Sequence, residues 1–397
     1  MKRRSFIQTT GLAAATLMLP KFIKAYTASG TINSNKILVV IQLSGGNDGL
    51  NTIVPYENDL YYNARPTIAI KKNETLKLNS ELGLHPAMQG FKNLFDNGQL
   101  SMLNNVGYPE PDRSHFRSMD IWQTASHSNE YKSSGWLGRY LDTQCVQCEH
   151  PTQILEIDDT LSLALKGERL NGLAFKDAKR LYATTTSSFI HQLAQQHHAD
   201  EHTHDNASYL YKTLVETVSS AEYIYKTSKI YQSSAVYPNH EFGKSMKMIS
   251  ELIVSGVQTN VFYVSLGTFD THYNQLKRQE ELLKQLAETV EIFMKEMKQN
   301  GKANDVLLMT FSEFGRRVQE NASGGTDHGT ANQIFLIGNQ LKKQGFYNEA
   351  PNLSDLEDGD LKYKIDFKNV YATILRNWLN ANDELILGKQ YSTLNFI

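Results

Sequence analysis

Cysteine is nearly absent from this sequence of 397 residues, which has only Cys145 and Cys148, in the stretch QCVQCEH. A c-type haem attachment motif needs a histidine directly after the second cysteine, and His150 comes one position too late. A thioredoxin-like redox motif needs a strand-to-helix setting, which residues 143–151 do not supply. In an oxidising compartment we therefore expect a local disulfide between the two cysteines.

An excess of positive charge is also missing. The chain has 40 Lys and Arg against 42 Asp and Glu, a formal net charge of −2, and loss of residues 1–25 would change this charge to −7. Such a balance excludes the basic surface by which proteins bind nucleic acid or anionic lipid. Apolar runs long enough to span a membrane are lacking after residue 25, so we expect no stable membrane span.

The first 25 residues have the layout of an export signal. Arg3 and Arg4 are followed by Phe6 and then by the alanine-rich run from Gly11 to Leu19, which is too short to span a bilayer comfortably. This pattern resembles a twin-arginine signal cleaved after Ala25; the alternative is an uncleaved anchor or chance basic residues. We therefore expect the twin-arginine (Tat) export machinery as a partner and a periplasmic or secreted location.

Short apolar runs rich in β-branched residues predict buried strands. These runs cover residues 36–43, 100–106, 153–157, 260–266, 305–311 and 333–338. Helical periodicity lies between most of them, at residues 86–95, 244–257, 276–298 and 369–379. Strands that alternate with helices predict an α/β fold with a mostly parallel central sheet and helices on both faces.

A polar stretch from about residue 175 to 235 has helical periodicity and no strong strand pattern. We predict that it is a helical insertion in a single domain of residues 26–397. A transition metal could bind to the histidines of this stretch, which are His191, His197, His198, His202 and His204. We favour a solvated, acid-balanced helix end or loop, because no neighbouring strand would fix the ligands.

Acidic and histidine side chains follow the predicted strands. In a parallel sheet, active groups gather where the strands reach their carboxyl ends. The first strand runs into GGNDG, where Asp48 offers a hard oxygen ligand, although an Asp-Gly turn is an equal alternative. The strand at 260–266 runs into Asp270 and His272, whose side chains can face one metal from an extended loop.

A further acid and two arginines follow the strand at 305–311. Glu313 and Arg316 beyond one strand end suit a metal ion and an oxyanion together, and we expect one arginine of the pair Arg316 and Arg317 to bind a surface acid instead. The loop GGTDHGT then holds Asp327 and His328, and we predict that His328 is a ligand rather than a core histidine. The predicted metal ligands are Asp48, Asp270, His272, Glu313 and His328.

The stretch YPEPDRSHFRSMDIW, residues 108–122, offers a nucleophile. Ser114 would lie at a helix N-terminus, where free backbone N–H groups favour an anionic oxygen and bound phosphate. Arg113, His115 and Arg117 are close enough in sequence to assist it. The alternative is that Ser114 is an ordinary N-cap, and Ser118, one turn later, is the second choice for the nucleophile.

These segments together resemble the DUF1501 family of exported bacterial proteins, itself similar to the alkaline phosphatase and sulfatase superfamily. The matching phrases include GGNDGLNTIVPY, VGYPEPDRSHFRSMDIW, VFYVSLGTFDTH, MTFSEFGRR and GGTDHGTA. The resemblance implies one or two divalent ions, of Zn, Ca, Mg or Mn, that assist the hydrolysis of a phosphate or sulfate ester.

The resemblance also implies which residues hold the ions. In that superfamily two acids hold one metal beside the nucleophile, and Asp48 and Glu313 resemble them. An Asp and two histidines hold the second metal, and Asp270, His272 and His328 resemble those.

The sequence departs from the superfamily pattern at three places. Phe314 stands where the acid is commonly followed by a histidine, and the usual Asp-x-x-x-His spacing is shortened to Asp270 and His272. The residues after Ser114 do not fit the formylglycine motif of common sulfatases. We therefore predict an exported metal-dependent hydrolase of phosphate or sulfate esters, whose anionic substrate is either free or linked to a glycan. The alternative is a non-catalytic exported metal protein that binds anionic glycans or a partner.

Overall fold

The computed structural model describes residues 35–144, 152–190 and 206–397, and only the backbone from 206 to 216. The predicted twin-arginine signal, both cysteines and the five histidines from His191 to His204 lie outside the described residues. The strands within the described residues are β1 (Ile37–Leu43), β2 (Ile53–Val54), β3 (Leu76–Lys77), β4 (Gly83–Leu84), β5 (Leu100–Gly107), β6 (Ile154–Glu156), β7 (Leu173–Ala174), β8 (Val261–Leu266), β9 (Val306–Phe311), β10 (Asn332–Gly338), β11 (Gly345–Phe346), β12 (Leu356–Glu357), β13 (Asp360–Leu361) and β14 (Ile365–Asp366).

The helices lie mostly between these strands. They are α1 (Gly49–Thr52), α2 (Asp59–Ala64), α3 (Gln89–Asp96), α4 (His115–Thr124), α5 (Trp136–Gln144), α6 (Ala178–Thr185), α7 (Asn206–Thr227), α8 (Glu241–Val254), α9 (Gln275–Gln299), α10 (Phe367–Thr373) and α11 (Asp383–Leu387). A 3₁₀ turn covers Leu163–Leu165, and a π-helical turn at Ile374–Trp378 continues α10. None of these helices is long and apolar enough to cross a membrane.

A single large sheet forms the centre of the described chain. Its order is β11-β5-β10-β9-β1-β8-β6-β7, with β14 also paired to β5. The ladders of β1 with β8 and β9, and of β6 with β7 and β8, are parallel, whereas β10 runs antiparallel to both its neighbours. The predicted mostly parallel sheet is therefore confirmed, and all six predicted strands belong to it.

Helices cover both faces of the sheet. Leu336 pairs with Met309 and so shares a face with Phe311, which leaves Phe335 on the other face. Phe335 contacts Phe91 of α3 with ring centroids 5.1 Å apart, and α3 packs on α9. On the opposite face Phe311 stacks on Trp122 of α4 at 5.5 Å. This two-sided cover explains why successive residues of β1 are buried, the pattern that predicted a parallel strand.

The polar segment at 175–235 contains helices α6 and α7 in its described part. Tyr182 of α6 stacks on Tyr225 of α7 with ring centroids 4.4 Å apart. Two small sheets stand apart from the central one, β2-β4-β3 and the hairpin β12-β13. The hairpin borders a cavity next to the candidate site.

Candidate metal centre

Three loops meet beyond the carboxyl ends of β1, β8 and β9. The loop after β8 carries Asp270 and His272, and the backbone of Phe269 donates to the carbonyl of Ser44 after β1 at 3.0 Å. This contact depends on Gly45, because a Cβ there would lie 2.4 Å from the amide nitrogen of Asp270. The glycines after the first strand therefore make room for the next loop.

The loop before β10 brings His328 to the same place. Arg316 and His328 form an antiparallel bridge, and the amide of Thr326 donates to the carbonyl of Thr271 at 3.2 Å. Gly325 permits this packing, since a Cβ would lie 2.4 Å from the Thr271 carbonyl oxygen. Asp270, His272 and His328 thus converge although 58 residues separate the first from the last.

The ligand atoms of these residues form a tight group. Nε2 of His272 lies 3.0 Å from Nε2 of His328, and Oδ1 of Asp270 lies 3.1 and 3.4 Å from the two nitrogens. Nε2 of His115, at the start of α4, lies 3.5 Å from Oδ2 of Asp270. Tetrahedral zinc with bonds of about 2.0–2.1 Å separates its ligand atoms by about 3.3 Å, so the spacing of the His272, His328 and Asp270 atoms suits one ion. Ligand atoms of His115, Asp270 and His328 lie within 4.8 Å of one another.

Each histidine of the group uses its other ring nitrogen in a hydrogen bond. Nδ1 of His328 lies 2.7 Å from the carbonyl of Arg113, which can only accept, so Nδ1 carries the proton. Nδ1 of His272 lies 3.0 Å from a carboxylate oxygen of Asp327. Nδ1 of His115 lies 2.9 Å from Oε1 of Glu313. In the neutral form of each ring this pattern leaves Nε2 with a lone pair, as is typical of metal-binding histidines.

Two of these Nε2 atoms face each other. With Nδ1 protonated in both rings, Nε2 of His272 and Nε2 of His328 would repel at 3.0 Å unless a proton or a cation bridged them. Burial lowers the pKa of His328 despite its bond to the Arg113 carbonyl, which disfavours a second proton on that ring. Nε2 of His115 is buried and has no hydrogen-bond partner. The donor set therefore fits a divalent metal ion.

Neighbouring charges hold the carboxylates of the centre ionised. Burial acts to raise the pKa of Asp270, but the hydrogen bond and charge of Arg316, with His272 and His115, outweigh it, so the net pKa is lowered. Hydrogen bonds from Asn321 and His272 lower the pKa of Asp327. Both carboxylates are thus ionised. Asp270 is suited to bind a cation, and Asp327 to orient His272.

Glu313 lies behind His115. Its Oε1 accepts from Nδ1 of His115 at 2.9 Å and from the amide of Gly45 at 2.8 Å, and its Oε2 accepts from the Ser312 hydroxyl at 3.3 Å. The hydrogen bond between Glu313 and His115 raises the pKa of His115, although burial acts to lower it. In this arrangement Glu313 orients a ligand, whereas the sequence predicted that it coordinates the metal itself.

Asp48, the acid after the first strand, is bound by an arginine and a glutamine of the chain. Its oxygens accept from both terminal nitrogens of Arg65, at 2.5 and 3.0 Å, and from the side-chain amide of Gln275. It also accepts from the amide of Leu50 at 3.2 Å, as the N-cap of α1. Since Asp48 is buried and Arg65 has a fully buried guanidinium, this carboxylate is not open to a cation, contrary to its predicted role.

The predicted nucleophile and its reserve lie in different surroundings. Ser114 is exposed at the start of α4 and makes no side-chain capping bond, although its amide donates to Asp112 at 2.7 Å. Ser118 is fully buried, with its hydroxyl bonded to Tyr108 at 2.8 Å and to the carbonyl of Glu313. Only Ser114 of the two can meet a substrate without a rearrangement.

The predicted arginines are engaged in structural contacts. The guanidinium of Arg113 pairs with buried Asp360, with Nε donating at 2.9 Å. Arg117 donates to the carbonyls of His127, Ser128 and Glu130 at 3.0, 2.9 and 2.5 Å. Arg316 is buried beneath Asp270 rather than open to a substrate. Arg117 and Arg316, which the sequence predicts to assist Ser114 and to bind an oxyanion, are thus held by acceptors of the protein itself.

A cavity of about 480 Å³ adjoins the centre. Phe314 lines it and also contacts the rings of His115 and His328, with centroids 4.9 and 4.6 Å apart. Tyr108 and Tyr363 add aromatic surface to its wall. The cavity is large enough for the part of a substrate that extends away from the centre.

The sequence predicts His115 as a residue that assists Ser114, and does not predict it as a candidate metal ligand. The signal that could have found it was the absence of a histidine at Phe314, which left one ligand to be supplied from elsewhere. Asp327 precedes His328 directly in the sequence, but its contact with His272 depends on tertiary packing.

The family model described as "Protein of unknown function (DUF1501)" matches residues 35–391. The chain belongs to this family. No curated protein matches the sequence.

Solved structures give weaker likenesses. A protein in the alkaline phosphatase superfamily from Vibrio parahaemolyticus is 9% identical, with 96% of this chain and 78% of that chain covered and a TM-score of 0.41. The PsFucS1 sulfatase from Pseudoalteromonas sp. is 10% identical, with 100% and 75% covered and a TM-score of 0.39. The phosphonate monoester hydrolase SpPMH from Silicibacter pomeroyi is 9% identical, with 91% and 78% covered and a TM-score of 0.38. At these values a function for this DUF1501 protein has to come from its own side chains.

Proposed function

We propose that this protein is an exported, metal-dependent hydrolase of phosphate or sulfate esters. The observation that carries the proposal is the pair of facing Nε2 atoms of His272 and His328, 3.0 Å apart, beside ionised Asp270. Export through the Tat machinery to the periplasm or the exterior is the part of the proposal that rests on residues 1–25.

The donor set favours zinc or a similar transition metal. His115, His272 and His328 offer imidazole nitrogens, which calcium and magnesium rarely accept, and Asp270 adds one carboxylate. When bound, a divalent ion supplies a Lewis acid that neutralises the anionic oxygens of the ester.

The residues around the centre have separate roles in this proposal. Ser114 lies exposed at the N-terminus of the ten-residue helix α4, where backbone N–H groups and the helix dipole stabilise an anionic oxygen. Next to it, His115 points its Nε2 toward the carboxylate of Asp270. The cavity lined by Phe314 and Tyr108 would take the alcohol part of the ester.

A metal analysis combined with a hydrolysis assay tests the proposal. Purified protein should contain a divalent metal and hydrolyse at least one compound in a panel of aryl phosphates, phosphate diesters and aryl sulfates. His328→Ala should lose both properties. His127→Ala, which removes an exposed histidine, is the matched control and should keep both. Metal-loaded protein that hydrolyses nothing in the panel would refute the proposed hydrolase activity.

A second candidate function is a non-catalytic metal protein that binds anionic glycans or a partner. The engagement of Arg117 and Arg316 with backbone carbonyls favours it, because these guanidinium groups are not free to stabilise a developing charge. Saturable binding of a sulfated or phosphorylated glycan without turnover, unaffected by Ser114→Ala, would support this function over hydrolysis.

A further inference from the structure

Arg316 holds a buried positive charge directly behind the metal centre. Its side chain is 0% exposed and all three of its guanidinium nitrogens donate hydrogen bonds. The acceptors are the carbonyl oxygens of Gly46, Thr326, Gly45 and Phe269 and Oδ1 of Asp270, at 2.7, 2.9, 2.5, 3.1 and 2.6 Å. Carbonyl and carboxylate oxygens are also the ligands of hard metal ions, so the guanidinium takes a set of oxygens that a cation would otherwise use.

The acids predicted to hold one of two ions are engaged elsewhere. Asp48 is bound by the guanidinium of Arg65. Oε1 of Glu313 accepts from His115 and from the amide of Gly45. The carboxylates of Asp48 and Glu313 and the carbonyls that follow β1 therefore already accept hydrogen bonds from donors of this chain.

We propose that the centre holds a single divalent ion per chain and that Arg316 supplies, as a fixed guanidinium, the positive charge that a second ion would bring. This inference rests on the proposed metal site, but not on turnover. Arg316 acts as a positioning residue, because the oxygen of Asp270 that accepts from it at 2.6 Å is also the oxygen nearest to His272 and His328.

Electrostatics supports one ion. A second divalent ion would bring two positive charges next to a guanidinium that is shielded from water, where repulsion is much stronger than in bulk solvent. One ion with Arg316 gives three positive charges, which Asp270, Glu313 and Asp327 balance. Asp270 would hold the ion while its Oδ1 accepts from the guanidinium of Arg316, which fixes the orientation of the carboxylate.

Titration of the metal-free protein with Co²⁺ tests the number of ions. The histidines from His191 to His204 could add adventitious sites, so the titration uses protein in which all five are replaced by alanine, alongside the unmodified chain. We expect saturation at one Co²⁺ per chain, with the absorption of a four-coordinate site. Two ions per chain at saturation, or none, would overturn the proposal. One ion without ester turnover would support it while refuting the hydrolase.

Two substitutions separate the charge of Arg316 from its packing. Arg316→Lys keeps a positive charge with fewer donors, whereas Arg316→Gln has no charge and also loses donors. We expect Arg316→Gln to bind Co²⁺ at least about tenfold more tightly than Arg316→Lys, because the repulsion is gone. Equal affinities in two folded variants would show that Arg316 only packs, and would overturn its charge role. If neither variant folds, the stoichiometry of the unmodified site still decides the proposal.

Discussion

Glu313 offers the sharpest test of how the metal centre is built, because sequence and structure assign it different roles. The sequence pattern predicts a direct ligand, and the structure puts Glu313 behind His115, with Oε1 2.9 Å from Nδ1. The substitution Glu313→Gln keeps the shape and an oxygen that can accept from His115, but removes the charge. A direct ligand and an orienting residue respond differently to this change.

The expected magnitude follows from the contact. Mutation of a residue that orients a ligand histidine typically costs about 10–100-fold in metal affinity, which is about 1.4–2.7 kcal/mol. We expect Glu313→Gln to weaken metal binding within this range, whereas His328→Ala should abolish tight binding. Asp327→Asn is the matched control behind His272, and its effect should be smaller because Asp327 is 56% exposed.

Competition with a chromogenic chelator, using Co²⁺ or Zn²⁺, measures these affinities. Glu313 is buried, so urea unfolding of the metal-free variant is needed to show that the fold survives. If Glu313→Gln loses metal as completely as His328→Ala while remaining folded, Glu313 is a ligand and our assignment is refuted. An unchanged affinity would refute the orienting role equally.

Three further predictions concern the buried acid Asp48, the two candidate nucleophiles and the buried acid Glu156. Asp48→Asn should lower the free energy of unfolding by about 3–5 kcal/mol, since it leaves the buried Arg65 without its partner, and should leave the metal content unchanged; loss of metal without loss of stability would restore Asp48 as a ligand. Ser114→Ala should reduce ester turnover and spare stability, whereas Ser118→Ala should cost about 1–3 kcal/mol because it removes a buried partner of Tyr108; the reverse pattern would make Ser118 the nucleophile. Burial raises the pKa of Glu156 from 4.5 to about 8. The contribution of Glu156 to the free energy of unfolding should therefore be greatest below pH 4.5, and should fall by up to about 1.4 kcal/mol per pH unit as the pH rises towards 8. Glu156→Gln should flatten that fall in urea unfolding at pH 5 and pH 8, and parallel profiles for both proteins would contradict it.

The sequence was sufficient for the fold because burial on both faces leaves a local signal. Residues Leu38–Ile41 of β1 and Leu307–Met309 of β9 are apolar without alternation, and this pattern alone indicates a strand covered on two sides. The π-helical turn at 374–378 was not predicted, since an α-helix and a π-turn have the same apolar residues.

The candidate site could be predicted only in part. Asp270 and His272 were predicted because they follow a buried strand, and His328 because it lies in a glycine-flanked loop; the structure brings the three together. The roles of Asp48 and Glu313 could not be separated in this way, because an acid after a strand is equally suited to a metal and to a buried arginine. Arg65 lies 17 residues from Asp48, and no local pattern links the two.

Composition, strand pattern and the chemistry of individual side chains were therefore determined by the sequence itself: an α/β chain with acids and histidines at strand ends. Tertiary structure alone decided which of these groups pair with one another through ion pairs or hydrogen bonds. Pairing of Asp48 with Arg65, of Glu313 with His115 and of Asp270 with Arg316 depends on contacts between loops that are distant along the chain. The physical reason is that hydrogen bonds and ion pairs depend on distances of about 3 Å, which only the packed sheet and its loops set.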